Sequence, residues 1–192
     1  MPSRRDEQVI ARQLGRRPRR VKNVCRRCRH GYPQVIETVP AGKEDGRWDV
    51  IPTVHWLTCP LLVRAIGQLE AAGWVRRFEE RLADDPELSE AMARAHRAAA
   101  ERRISLLSPG DRARLAEESP RQWEALAGTG VAGIRFPGGV KCLHAHYADF
   151  VAGGPNPIGR DVHGLLVERG VPPEGTGDCW RFCAVDETGK GS

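Results

Sequence analysis

Residues 140–150 read VKCLHAHYADF and place four potential metal ligands within eight positions. These are Cys142, His144, His146 and Asp149, and thiolate, imidazole and carboxylate are the groups that bind zinc in proteins. A helix that includes Cys142 would put it on one face with His146 and Asp149, whereas a helix that begins only after His144 would let Cys142 and His144 share an ion. A buried Cys142 beside solvated histidines is the third interpretation, and the residues alone leave all three open.

Other ligand-type residues lie in three distant segments. They are Cys25 and Cys28 in CRRC, His30, His55 and Cys59 in VHWLTCP, and Cys179 and Cys183 in CWRFC. A zinc ribbon needs a second Cys-x-x-Cys pair about 15–20 residues after the first, and this chain has none. A metal site would therefore be assembled from distant segments. Such assembly is feasible because loop-closure cost grows only logarithmically with length, whereas structural zinc contributes on the order of 10–16 kcal/mol.

Positive charge is concentrated at the N-terminus. Residues 1–30 hold eleven Arg and Lys residues against Asp6 and Glu7, a net charge of +9, whereas the whole chain carries +5. Such a basic segment predicts contact with nucleic acid or another polyanion, and the alternative is a solvated arginine-rich face. The residues assigned to this contact are Arg19, Arg20, Lys22, Arg26, Arg27 and Arg29.

Length and composition predict one globular domain, since the chain has 192 residues of which 40% are hydrophobic and 29% charged. No apolar stretch approaches the roughly 18–20 residues that span a bilayer, so we expect no membrane association. No apolar segment follows the N-terminal charges as in a secretory signal, and we therefore expect a cytoplasmic protein. In that reducing compartment the six cysteines are expected to bind metal, react or be buried rather than form disulfides.

Periodicity predicts an α+β fold, with a small antiparallel sheet near the N-terminus and a predominantly helical remainder. We expect a first helix over 5–15, three strands within 20–58 and a turn at 41–46, AGKEDG. Helical patterns then recur from Pro60 onward, several of them after a Ser-Pro or Asp-Pro start. We expect a single domain over 1–171 and a Gly/Pro-rich C-terminal tail over 172–192 that is loose apart from CWRFC.

Six motifs in a fixed order carry a resemblance to a known family. They are RQLGRRPR, RCRHGYPQVIET, PTVHWLTCP, QLEAAG, VKCLHAHYAD and NPIG. Over about residues 8–165 the chain resembles a bacterial family of uncharacterised proteins, domain-of-unknown-function family 501. The resemblance implies that Cys28, Cys59, Cys142 and His144 recur, and that other members carry His in place of Cys59 or Asp149. Metal sites tolerate exchange among Cys, His and Asp, whereas packed cores do not.

With the resemblance added, the predicted ligand set is Cys28, Cys59, Cys142 and His144. Cys25, His146 and Asp149 are accessory candidates. Three thiolates and one imidazole suit zinc and also an iron–sulfur cluster. We prefer zinc because it is the metal more commonly bound by such ligand sets.

Two classes of function fit these residues. The first, which we favour from sequence, is a non-catalytic zinc-binding module whose basic N-terminal face contacts nucleic acid or another polyanion, because four protein ligands leave no position for water. The second is a metal-dependent hydrolase acting on a phosphorylated substrate, with Asp149 or His146 as general base and with Arg26, Arg27 and Arg29 binding phosphate. A Cys142 nucleophile aided by His144 or His146 is a variant of the second class. No Walker loop, dinucleotide-binding glycine pattern, nucleophile elbow or His-Glu-x-x-His motif supports the common enzyme classes.

Overall fold

The computed structural model describes residues 1–136 and 138–185. Within these residues the strands are β1 (Val21–Arg27), β2 (Pro33–Thr38), β3 (Ala41–Glu44), β4 (Arg47–Val50) and β5 (His55–Leu57). β2 lies between β1 and β5 in an antiparallel three-stranded sheet, and β3 pairs with β4 in a separate hairpin. All six residues of β2 are buried, so both faces of the central strand are covered.

Eight helices surround this sheet in the described part of the chain. They are α1 (Arg4–Leu14), α2 (Pro60–Ala71), α3 (Trp74–Asp84), α4 (Pro86–Ser105), α5 (Pro109–Glu118), α6 (Pro120–Ala127), α7 (Leu143–Val151) and α8 (Pro157–Glu168). Five of them begin with proline, whose missing N–H costs nothing at that position. Side chains of Ser3, Asp85, Ser108 and Asn156 accept hydrogen bonds from the first turns of α1, α4, α5 and α8.

The predicted α+β class is confirmed, and the main difference lies at residues 41–50. We expected a turn over 41–46, but these residues form β3 and the reversal that leads into β4 at Arg47. The chain reverses at Asp45 and Gly46, which both have positive φ (49° and 75°), as a two-residue hairpin loop requires. The third expected strand is correspondingly shorter, since β5 covers only His55–Leu57.

The core forms where α2, α4, α7 and α8 pack on β2 and β5. Its fully buried side chains include Val35, Leu62, Ile66, Leu69, Phe78, Met92, Leu143, Tyr147, Ile158, Val162 and Leu166. α7 contacts α8, β5 and α2. The N-terminal end of α7, which follows Cys142, is therefore held beside α2.

The C-terminal tail packs on the sheet as far as the structure describes it. The Gln34 amide donates to the Pro173 carbonyl (2.6 Å), and the Arg29 amide donates to the Glu174 carbonyl (2.8 Å). A short 3-10 helix, Gly177–Phe182, follows, and Cys183 after it is buried. Residues 186–192 of the predicted tail lie outside the described residues. Among the described helices, none combines the length and apolar character that a membrane crossing requires.

Candidate metal centre

Glu70, Cys142 and His144 bring three potential ligand atoms together. A carboxylate oxygen, Sγ and a ring nitrogen all lie within 4.8 Å of one another, and no other three Cys, His, Asp or Glu ligands do so in the described part of the chain. Nδ1 of His144 is 3.8 Å from Cys142 Sγ and 3.2 Å from Glu70 Oε1. All three residues are partly buried, so the cluster lies near the surface.

The start of α7 sets this geometry. Cys142 is the N-cap residue in an extended conformation (φ −157°, ψ 116°), and its side chain does not cap the helix. Glu70, near the end of α2, supplies the missing acceptor, since its Oε1 receives the Leu143 backbone N–H at 2.7 Å. A carboxylate at a helix N-terminus is favoured by the helix dipole. The same carboxylate therefore joins α2 to α7 and faces Cys142 and His144.

The other nitrogen of His144 is also held. Nε2 lies 3.0 Å from the Val63 carbonyl oxygen, which can only accept, so Nε2 carries a proton and donates it. The hydrogen bond to Cys142 raises the pKa of His144 to about 9, against the effect of burial and with further help from Val63 and Glu70. Metal-binding histidines commonly donate their second N–H to a carbonyl in this way, which directs the remaining nitrogen at the ion.

The arrangement differs from a three-residue catalytic relay. In such a relay, one histidine nitrogen faces the nucleophile and the other faces the orienting carboxylate. Here Cys142 and Glu70 both face Nδ1 of His144, whereas Nε2 is bonded to a backbone carbonyl. Three ligand atoms this close together could hold a single ion.

The chain matches a protein-family model. Residues 24–164 match the model described as "Protein of unknown function (DUF501)", which covers more than half of the chain. The chain belongs to the DUF501 family. No curated protein and no solved structure matches it. The DUF501 match includes the predicted ligands Cys28, Cys59, Cys142 and His144 as well as Glu70, and it ends before Cys179.

The structure divides the four predicted ligands between two places. Cys142 and His144 lie in the cluster with Glu70, but Cys28 and Cys59 are not part of that cluster. Cys59 is 5% exposed and precedes α2, at the opposite end of that helix from Glu70. Sequence reasoning missed Glu70 because a glutamate on an amphipathic helix is ordinarily solvated. Its one signal was its place in QLEAAG, one of the six motifs that carry the resemblance.

The accessory candidates also lie elsewhere. Cys25 is exposed on β1. Asp149 and His146 are buried, and the amide of Asn156 lies within hydrogen-bond distance of both, 3.1 Å from Asp149 Oδ2 and 3.2 Å from His146 Nδ1. Burial, and then the nearby His96, lower the pKa of His146 to about 4. His146 and Asp149 do share one face of α7, as the helical spacing predicts, but Cys142 is not on that face because it lies before the helix.

A buried ion network connects the sheet of this DUF501 protein to α7. The His55 ring lies between two carboxylates, with Nε2 3.4 Å from Glu37 Oε1 and Nδ1 3.3 Å from Asp149 Oδ1. Glu37 is 1% exposed and also accepts from Arg102 (2.7 Å) and Asn23 (2.9 Å). Burial would raise the pKa of Glu37, but the hydrogen bonds from His55, Asn23 and Arg102 lower it to about 2. Burial would likewise lower the pKa of His55, and its bonds to Asp149 and Glu37 raise it instead.

This network predicts a loss of stability in acid. The folded pKa of Glu37 lies below its ordinary value of 4.5, so its contribution is present above that value and is lost as the pH falls toward 2. The contribution is about 3 kcal/mol, at 1.36 kcal/mol for each pKa unit. We expect Glu37→Gln to be less stable than the wild type at about pH 6, with the difference shrinking by about pH 3. Urea unfolding at both pH values measures it, and a pH-independent difference would contradict this account.

The six predicted polyanion contacts fall into two groups. Arg19 and Arg20 bind Asp49 (2.8 and 2.9 Å), and Arg27 makes two bonds to Asp6 (2.6 and 2.9 Å). These three guanidinium groups are already paired with carboxylates of the protein. The other three residues are exposed and make no ion pair with a described residue. They are Lys22, Arg26 and Arg29.

Proposed function

We propose that this DUF501 protein binds zinc through Glu70, Cys142 and His144. The observation that supports this is the approach of all three ligand atoms to one point, together with the Nε2–H of His144 held by the Val63 carbonyl. Carboxylate oxygen, thiolate sulfur and imidazole nitrogen are all zinc ligands. Reduced thiols are needed, which fits a cytoplasmic location.

The number of ligands favours a reactive centre over a purely structural one. Structural zinc sites have four protein ligands, whereas catalytic sites have three and leave the fourth position to water. Three residues meet here, and each is partly exposed. Zinc in such a site lowers the pKa of bound water to about 7 and so generates hydroxide at neutral pH. We therefore propose that the protein is a zinc-dependent hydrolase, and we prefer this class to the closed four-ligand module expected from sequence.

Metal analysis of protein purified without chelator tests the site. We expect zinc in the wild type and its loss in Cys142→Ala and His144→Ala, because neither variant keeps three ligands. Cys25→Ala removes an exposed thiol outside the cluster and should retain the zinc. Circular dichroism checks that each variant is folded. Wild-type protein that cannot be loaded with zinc, or variants that bind it as well as the wild type does, would disprove the assignment.

Activity tests the reaction class separately. Chromogenic phosphate esters and carboxylic acid esters would be offered to the zinc-loaded protein. Hydrolysis that chelation abolishes, that zinc restores and that Cys142→Ala lacks would support the hydrolase. Zinc binding without hydrolysis of any of these esters would contradict the hydrolase for these substrate classes and would leave the binding site intact.

A second candidate function, binding of a polyanion, is favoured by the exposed and unpaired charges of Lys22, Arg26 and Arg29 on and after β1. Each phosphate contact contributes about 0.9 to the slope of log affinity against log salt on duplex DNA and about 0.7 on single strands. Replacing all three residues with alanine should therefore weaken binding of single-stranded RNA. It should also make the negative slope shallower by about 2. Arg97→Ala, which removes an exposed charge on α4, is the control. An unchanged slope in the triple variant would exclude this surface.

A further inference from the structure

Four cysteines outside the zinc site gather where the C-terminal segment crosses the sheet. A Cβ built on Gly175 would lie 3.2 Å from Cys179 Sγ and 3.8 Å from Cys28 Cβ, so these two residues border the same space. Cys183 Sγ accepts from the Gln13 amide that also donates to the Pro33 carbonyl, and the carbonyl of the following Gln34 accepts from the Cys59 amide, so Cys183 and Cys59 lie beside the same two residues of β2. Cys183 also lies near Cys28 and Cys179. Cys183 is thus the centre of a group that includes Cys28, Cys59 and Cys179.

Hydrogen bonds to backbone carbonyls fix the segment that carries the last two thiols. His30 Nε2 lies 3.2 Å from the Thr176 carbonyl, and the Cys179 amide donates to the same carbonyl at 3.2 Å. The 3-10 helix Gly177–Phe182 then ends at Cys183, and the Arg12 side chain donates to the Phe182 carbonyl at 3.4 Å. Contacts with α1 and with the turn after β1 therefore hold CWRFC in place.

Polar groups lie beside the two buried cysteines. Gln13 Nε2 donates to Cys183 Sγ at 3.2 Å, and the same amide donates to the Pro33 carbonyl at 2.9 Å. The Cys59 amide donates to the carbonyl of the next residue, Gln34, at 3.4 Å. Cys59 and Cys183 therefore both lie beside the start of β2.

From the convergence of Cys28, Cys59, Cys179 and Cys183 at this junction, we propose that they bind an iron–sulfur cluster. No three of these sulfur atoms, all in the described part of the chain, lie within 4.8 Å of one another, which is too open for a single tetrahedral ion. The thiolates of a cluster bind different iron atoms, so they surround a larger volume. Hydrogen bonds to the sulfurs, such as that from Gln13 to Cys183, are among the features that set the potential of these clusters.

This site is independent of the proposed zinc site. Cys28 and Cys59 lie within the family match, but Cys179 and Cys183 lie beyond its end at residue 164. The family match therefore includes two of the four thiols. Its loss and the loss of zinc can be measured separately, because the two sets of ligands share no residue.

Anaerobic reconstitution of the full chain with ferrous iron and sulfide tests the proposal. We expect a brown protein with iron and acid-labile sulfide in equal amounts, and a paramagnetic resonance signal in one of its redox states. Cys28→Ala and Cys183→Ala should lose the iron and the colour. Cys179→Ser gives a second test that removes no buried core thiol, since Cys179 is only partly buried.

Two matched controls separate the cluster from other thiols. Cys25→Ala changes the other cysteine of CRRC, which is exposed, and should retain the full iron content. Cys142→Ala should keep the cluster while losing zinc. The proposal is overturned if the wild type takes up no sulfide, if these thiols bind zinc alone, or if folded Cys28→Ala and Cys179→Ser both keep the cluster.

Discussion

Arg103→Met should destabilise the fold by about 3–5 kcal/mol, because its removal leaves several buried acceptors without their donor. The Arg103 side chain is 1% exposed and donates to the backbone carbonyls of Leu126, Thr129 (2.9 Å) and Gly130 (2.8 Å), and to the Thr129 hydroxyl (3.1 Å). Methionine fills similar space but offers no donor. Several acceptors after α6 would then be buried without partners, at about 1–3 kcal/mol each before relaxation.

Urea unfolding followed by circular dichroism measures this effect. Arg97→Met is the matched control, since Arg97 lies on the same helix but is exposed, and we expect a change within about 0.5 kcal/mol. A change below about 1 kcal/mol for Arg103→Met would show that water replaces the guanidinium donors, and the segment after α6 would then not depend on this side chain.

Gly159→Ala should destabilise the protein by about 3 kcal/mol, at the upper end of the range for overpacking. Gly159 lies in the first turn of α8 where that helix crosses α7. An added Cβ would lie 2.5 Å from the Phe150 Cβ and would also collide with the His146 carbonyl oxygen. Both are fixed parts of α7, so the helices must separate. That separation would also disturb the Asn156 hydrogen bonds to His146 and Asp149.

Gly164→Ala on the same helix has the opposite expected sign. No atom lies within 4 Å of a Cβ at Gly164, so the substitution meets open space. Alanine should then stabilise α8 by about 0.5–1 kcal/mol because glycine has greater freedom in the unfolded chain. Thermal or urea unfolding of both variants tests the pair. Similar effects of the two substitutions would refute the proposed close approach of α7 and α8.

Local signals explain why the helices were predictable. Ser108-Pro109 and Ser119-Pro120 each combine a capping residue with a residue suited to the first helical position, and both begin helices in the structure. β3 and β4 were missed because the buried alternation of a strand is weak in AGKE and RWDV. The Asp45-Gly46 pair was nevertheless a hairpin signal that the turn prediction used only in part.

The candidate site was less predictable because its geometry depends on contacts between distant segments. Cys142 and His144 are two residues apart, and their proximity follows from the extended backbone at Cys142 just before α7. Glu70 reaches them only through the packing of α2 on α7, which no local pattern reports. Cys59 was assigned to the same ion, but it lies at the other end of α2 and faces Cys183, more than 120 residues later in the chain.

The docked C-terminal segment has a practical consequence for anyone who shortens this protein. Gln34 is 2% exposed and now donates to the Pro173 carbonyl, so a chain ending after α8 would deprive the central strand of that acceptor. The cleft bounded by Gln34, Tyr147 and Pro173 would also widen. A chain that ends after α8 should therefore unfold at a lower urea concentration than the full chain.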